Sequence, residues 1–174
     1  MIYTVGIADM KISTQHSDII ITYALGSCLG ITIHDPVACV GAMLHIMLPL
    51  SSIDIQKASQ NPCMFVDTGV PKLFNDCYKL GARKERLVVT VAGGASPLSV
   101  SGNDHFQIGN RNFITLRKLL WHNGALLKAY DVGGTVARTM SLEIGTGKVV
   151  VKHSGGETKV INIDVEDCSV GRGN

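Results

Sequence analysis

The sequence is short of aromatic residues. One tryptophan, four tyrosines and four phenylalanines make up 5% of its 174 residues. Charge is also sparse: charged residues are 17%, and 16 Lys and Arg against 14 Asp and Glu leave a net charge of +2. So mild a balance lacks the concentrated basic patch of a nucleic-acid binder. None of the five cysteines forms a CxxC pair, which argues against a thioredoxin-like motif and the common zinc spacings. His34, His105, His122 and His153 lack paired spacing, so no metal is expected. Gly93-Gly94 and Gly133-Gly134 match neither a GxGxxG nor a P-loop pattern, and no cofactor is expected. No apolar run approaches the ~20 residues that span a bilayer, so membrane insertion is not expected. The opening Met1-Ile2-Tyr3-Thr4-Val5 has no basic n-region. We therefore expect no signal peptide and a cytoplasmic location.

Apolar residues are plentiful, at 45%, and mean hydropathy is +0.23. A chain of this length and composition can bury one sizeable core. A single domain is expected over residues 1–170, with 171–174 a frayed tail. Strands are predicted at 2–8, 19–23, 31–34, 39–47, 86–92, 125–132, 136–144, 148–153 and 160–165. Helices are predicted at 67–80 and 110–123. Val70, Leu73, Phe74, Cys77 and Tyr78 form one apolar stripe, and Phe113, Leu116, Leu119 and Leu120 form the other. Asp67 or Thr68 is the candidate cap of the first helix, and Gly81 and Gly124 are natural stops. Residues 50–64 and 98–108 read as loops. The expected fold is α/β (α+β): a layered sandwich, mainly antiparallel β-sheet, with two main helices packed on it.

Cys28 carries the chemistry in this reading. It follows an apolar run, on the bend Gly26-Ser27-Cys28-Leu29-Gly30. His45 lies seventeen positions on, within Met43-Leu44-His45-Ile46-Met47. A thiol beside an imidazole is the minimum equipment of a cysteine nucleophile. A four-residue hairpin loop at 35–38 sets Cys28 opposite His45. A three-residue turn at 24–26, with Gly26 left-handed, sets Thr22 opposite Cys28. Thr22, Cys28 and His45 then form one row across three strands, with Thr22 orienting the second imidazole nitrogen. Free N–H groups of the bend are candidates for an oxyanion hole.

The remaining candidates read more simply. Ser27 and Asp35 suit turn chemistry. Cys39 and Cys77 read as core, and the glycine pairs as strand ends. Arg111 and Arg138 suit either an acidic partner or a structural pair.

The stretch Thr22-Tyr23-Ala24-Leu25-Gly26-Ser27-Cys28-Leu29-Gly30 resembles the cysteine motif of the bacterial chemoreceptor glutamine deamidases, the CheD family. Gly41-Ala42-Met43-Leu44-His45-Ile46-Met47-Leu48-Pro49 is similar to the family's histidine motif. The likeness continues through Val66-Asp67-Thr68, Ala92-Gly93-Gly94-Ala95-Ser96, Ile108-Gly109-Asn110-Arg111-Asn112, Asp131-Val132-Gly133-Gly134 and Ala137-Arg138. The resemblance implies a fold related to bacterial toxin deamidases. It implies hydrolysis of glutamine side-chain amides to glutamate on methyl-accepting chemotaxis receptors, with Cys28 as nucleophile, His45 as base and Thr22 as orienting residue. It also implies a partner, a CheC-type chemotaxis phosphatase. The chain departs from the pattern at Leu44, where a smaller residue is expected, and at Thr135-Val136, where Asn and often Arg are expected. Two other readings stay open: receptor methylesterase activity at the same thiol, and a mainly non-catalytic regulator that docks the phosphatase.

Overall fold

A computed structural model describes residues 1–96 and 107–162. Ten strands form two five-stranded sheets. They are β1 (Ile2–Val5), β2 (Asp9–Ser13), β3 (Ile19–Leu25), β4 (Leu29–Asp35), β5 (Val40–Ile46), β6 (Val88–Gly93), β7 (Leu127–Val132), β8 (Arg138–Glu143), β9 (Val149–His153) and β10 (Thr158–Val160). The first sheet runs β1-β3-β8-β9-β10 and the second β2-β5-β4-β6-β7. The helices are α1 (Ile55–Gln60), α2 (Val66–Lys79) and α3 (Ile108–His122).

Alternation along the second sheet sets the layers. Leu29, Ile31 and Ile33 of β4 and Ala42, Leu44 and Ile46 of β5 join Val66, Val70, Leu73, Leu116 and Leu120 in one buried cluster, under α2 and α3. The opposite face, with Met43 and Ala92, packs on Ile20, Leu25, Met140, Leu142 and Val151 of the first sheet. Helices, sheet and sheet thus form three layers, the layered α+β sandwich expected.

Several expectations needed correction. The strand expected at 2–8 is two strands in different sheets. Gly6 and Ala8, the latter at φ 57°, turn the chain from one sheet to the other. The pairing is mainly antiparallel, as expected, and the two parallel pairings are β1 with β3 and β6 with β7. The segment 50–64 holds α1 between two 3₁₀ turns, because the Asp54 side chain accepts from Lys57 N and the Asn61 side chain from Cys63 N. Neither Asp67 nor Thr68 caps α2. Asp67 accepts from Ser51 N at 2.8 Å, and Thr68 donates to the Pro62 carbonyl at 2.7 Å. Gly81 and Gly124, at φ 95° and 61°, do end α2 and α3. The loop expected at 98–108 lies mostly outside the described residues, as do His105, Cys168, residues 163–165 of the last expected strand and the tail at 171–174.

Candidate active site

His45 stands on β5 with its side chain between the sheets, in phase with Gly41 and Met43, and is 1% exposed. Thr22 comes from β3 of the other sheet and is fully buried. Its hydroxyl donates to the Val5 carbonyl at 2.8 Å and lies 2.8 Å from His45 Nδ1. A hydroxyl has one proton. With that proton on Val5, Thr22 Oγ1 can only accept from Nδ1–H. The imidazole is thereby held in one tautomer, with the lone pair on Nε2. Nε2 is buried and has no hydrogen-bond partner among the described residues. Burial also pushes the His45 pKa down to about 4, so the ring is neutral at physiological pH.

Cys28 immediately precedes β4. Gly30, two residues on, is the direct partner of His45 across β4 and β5. Cys28 is thus a diagonal neighbour of His45, a placement that separates Cβ atoms by roughly 7–8 Å or somewhat less. It is partly exposed and packs on the cluster between the sheets. A Cβ on Gly30 would meet Leu25, Met140 and Thr22, so glycine keeps this ground clear for the two side chains. Burial raises the Cys28 thiol pKa, partly offset by its own backbone N–H. The resting pair is a protonated thiol and a neutral imidazole.

Thr22 and His45 meet in a hydrogen bond, while Cys28 lies diagonal to His45 without the expected thiol–imidazole hydrogen bond, and neither placement uses the expected registers. The hairpin closes with Asp35 opposite Val40, so every β4–β5 pair is displaced by two from the prediction. Asp35 is the cause. Its Oδ1 accepts from Val37 N and Ala38 N, which carries the turn through Cys39 at φ 50°. Cys39 is therefore a buried turn residue, not a strand residue. β3 pairs with β1 and β8, not with β4, so Thr22 reaches His45 across the gap between sheets. The left-handed residue in the bend is Ala24, at φ 55°, not Gly26.

The bend itself is clamped. Gly94 N donates to the Cys28 carbonyl and Ala95 N to that of Gly26, both at 2.8 Å. Gly93 has φ 114°, and a Cβ there would strike the Cys28 carbonyl oxygen. Asn112 of α3 donates from Nδ2 to Ser27 O at 3.0 Å and to Met47 O at 3.1 Å. The reversed amide would set its oxygen against two carbonyls, so the orientation is fixed.

The sequence model of the family described as CheD chemotactic sensory transduction matches residues 47–153, well over half of the chain. The chain belongs to the CheD family. It is 50% identical over 152 residues to the probable chemoreceptor glutamine deamidase CheD 1 of Syntrophus aciditrophicus, covering 87% of this chain and 94% of that one. It is 45% identical over 157 residues to the probable chemoreceptor glutamine deamidase CheD of Solibacter usitatus, covering 90% and 92%. A protein of the same name from Clostridium botulinum is 42% identical over 158 residues, covering 90% and 96%.

In this CheD chain two further residues matter that sequence reasoning passed over. Gly93 was visible only as a strand end. Asn112 had a signal: it precedes Leu116 and Leu120 by four and eight positions, so a polar residue stands on the apolar stripe of α3. Arg138 proves to be a structural pair. It donates to Asp131 at 2.7 Å and to the Val136 carbonyl at 3.2 Å, and a longer contact at 3.5 Å reaches Gly93 O. His153 lies 2.9 Å from the same Asp131. Asp35 joins Arg86 at 2.7 Å, beyond its turn role. Ser27 serves through its carbonyl. Cys77 is core, and burial pushes its thiol up to about 12.

Proposed function

We propose that this chain is a protein-glutamine deamidase that converts glutamine side chains of methyl-accepting chemotaxis receptors to glutamate, with Cys28 as nucleophile, His45 as base and Thr22 as its positioning residue. Membership of the CheD family and the names of its relatives support the reaction. One observation supports the site above others: Thr22 fixes Nδ1–H of His45 and leaves Nε2 as a buried lone pair without a hydrogen-bond partner among the described residues.

In this mechanism Nε2 takes the Cys28 proton as the thiolate attacks the glutamine carboxamide carbon. The imidazolium returns that proton to the departing ammonia, and a thioester remains. Nε2 then deprotonates a water that attacks the thioester, and the thiolate leaves and is reprotonated. The Cys28 pKa, raised by burial, makes proton transfer part of the attack rather than a step completed beforehand. Each turnover places a new negative charge on the receptor, enough to bias a two-state signalling element. The same reading includes a CheC-type phosphatase as regulatory partner, a cytoplasmic location and one domain over residues 1–170. Among the described residues no helix is long and apolar enough to cross a membrane.

Intact-mass measurement of a receptor cytoplasmic fragment tests the reaction. Deamidation adds about 1 Da per glutamine, and Cys28→Ala, a small change on a partly exposed bend, should abolish the gain while leaving the fold intact. Loss of about 14 Da would instead mean methyl-ester cleavage by the same thiol. An unchanged mass together with tight phosphatase binding would mean a docking protein. Deamidation persisting in Cys28→Ala refutes the assigned nucleophile.

A further inference from the structure

Residues 92–96, 131–134 and 137–138, three stretches of the resemblance, carry none of the reacting groups. They are nested behind the nucleophile. The bend at 26–28 hangs on the turn at 93–96, through Gly94 N to the Cys28 carbonyl and Ala95 N to that of Gly26. The loop after β7 holds this turn at both ends. Gly133 N donates to the Gly93 carbonyl at 3.0 Å, and Ser96 N donates to the Gly134 carbonyl at 2.9 Å. Gly133 and Gly134, at φ 83° and 69°, give the loop a left-handed course that suits glycine. Arg138 closes the loop. Its Nε donates to Asp131 at 2.7 Å, where the loop begins, and its Nη1 to the Val136 carbonyl at 3.2 Å, near its end.

Resting on the deamidase reading, we propose that Arg138, oriented by Asp131, is a positioning residue for Cys28. It keeps the loop closed, the loop keeps the turn in place, and the turn holds the nucleophile bend at its distance from His45. The strand pairing supports this. Arg138 begins β8 opposite Leu25, the last residue of β3 before the bend, while Asp131 stands on β7 of the other sheet. One ion pair thus locks the approach to the bend and the clamp behind it as a unit. The pair is buried, with side chains 4% and 10% exposed, so Arg138 is withdrawn from the substrate. A buried ion pair adds little net stability over apolar residues of the same volume. What it fixes is geometry, because the planar guanidinium satisfies Asp131 and the Val136 carbonyl together in few arrangements. The departure at Thr135-Val136 leaves the arrangement intact, since Arg138 takes the carbonyl of Val136 and not its side chain. His153, across from Arg138 on β9, braces Asp131 Oδ2 at 2.9 Å from outside this chain of contacts.

The test measures kcat and KM on a receptor cytoplasmic fragment, the melting midpoint, and alkylation of Cys28 by iodoacetamide, which needs no receptor. Arg138→Lys keeps a cation beside Asp131 and loses the planar fork. It should lower kcat roughly 10- to 100-fold with KM changed by less than about threefold, the signature of a displaced reacting group. Alkylation should quicken as the bend loosens and the thiol meets solvent. His153→Ala removes only the outer brace and should leave kcat within about threefold. Asp131→Asn/Arg138→Met leaves no buried charge unpaired, so it should melt closer to wild type than Arg138→Met alone. Its kcat should stay as low as that of the single variant. A kcat that recovers together with the melting midpoint overturns the positioning role, as does a wild-type kcat in Arg138→Lys or an equal loss in His153→Ala. A wild-type protein that leaves the fragment's mass unaltered overturns the deamidase reading. In that case faster alkylation in Arg138→Lys still upholds the hold on Cys28, and an unchanged rate overturns it.

Discussion

Thr22 Oγ1 and His45 Nδ1 are 2.8 Å apart, although the residues belong to strands of different sheets. The contact therefore depends on how the sheets are stacked. Val5, which takes the Thr22 proton, sits opposite Thr22 on β1. One hydroxyl thus converts the packing of two sheets into the protonation pattern of one imidazole.

Thr22→Val is expected to lower kcat roughly 100-fold, because the tautomer and ring orientation are no longer held. KM should move little, since Thr22 is buried away from any substrate. Thr22→Ser keeps the hydroxyl and should restore most of the rate. Steady-state kinetics on a receptor fragment, with nitrogen NMR of the imidazole, separates this from a general packing defect. A Val variant with wild-type kcat would falsify the positioning role.

The direction of the His45 shift sets the acid limb of the pH profile. A protonated Nε2 cannot accept the thiol proton, so kcat/KM should fall as pH drops through about 4 and stay level from there to neutrality. An unshifted histidine would place the fall near pH 6.5. In the free protein, Cys28 alkylation by iodoacetamide should rise only above the ordinary thiol range, since burial raises that pKa. Rapid alkylation at pH 6 would instead reveal a resting thiolate–imidazolium pair.

Gly93 and Gly26 make a matched pair for substitution. A Cβ on Gly93 would strike the Cys28 carbonyl oxygen, and its φ of 114° is hostile to any L side chain. Gly93→Ala should cost about 2–4 kcal/mol of stability and displace the nucleophile bend, with most activity lost. Gly26 has open space where a Cβ would go, at an ordinary φ. Gly26→Ala should stay within about 0.5 kcal/mol. Thermal melts and turnover of the two variants give the comparison. Equal losses would remove the steric account.

Much of this was legible in the sequence because strand alternation and helix stripes are local signals. Val70, Leu73, Phe74 and Cys77 of α2, Leu116 and Leu120 of α3 and the strands β3 to β9 followed from them, whereas Tyr78 is exposed and the joining of Thr22, Cys28 and His45 rested on registers the structure does not have. What escaped was set by partners distant in sequence. Residues Asp9–Ser13 form a strand only against β5, with Asp9 opposite His45. The hairpin register turned on Asp35, whose carboxylate binds its own turn and Arg86, 51 positions away. Gly30 faces His45, and a residue two positions back on the same face remains within a side chain's reach.

Asn112 joins the two halves of the site. Its amide ties the carbonyl before Cys28 to one just past His45, from a helix otherwise committed to the core. Asn112→Ala leaves both carbonyls without that donor and should cost about 1–3 kcal/mol of stability. Asn112→Asp is the harsher change despite equal size, since a carboxylate would face two carbonyl oxygens and cannot donate. If Asn112 positions the nucleophile, kcat should fall in both variants by more than KM for the receptor fragment rises, because Asn112 is fully buried and cannot itself touch the substrate. Cys28 alkylation should show altered rates in parallel. Activity that survives intact in a destabilised Ala variant, measured well below its melting temperature, would reduce Asn112 to a structural strut. The bend would then be held by Gly93, Gly94 and Ala95 alone.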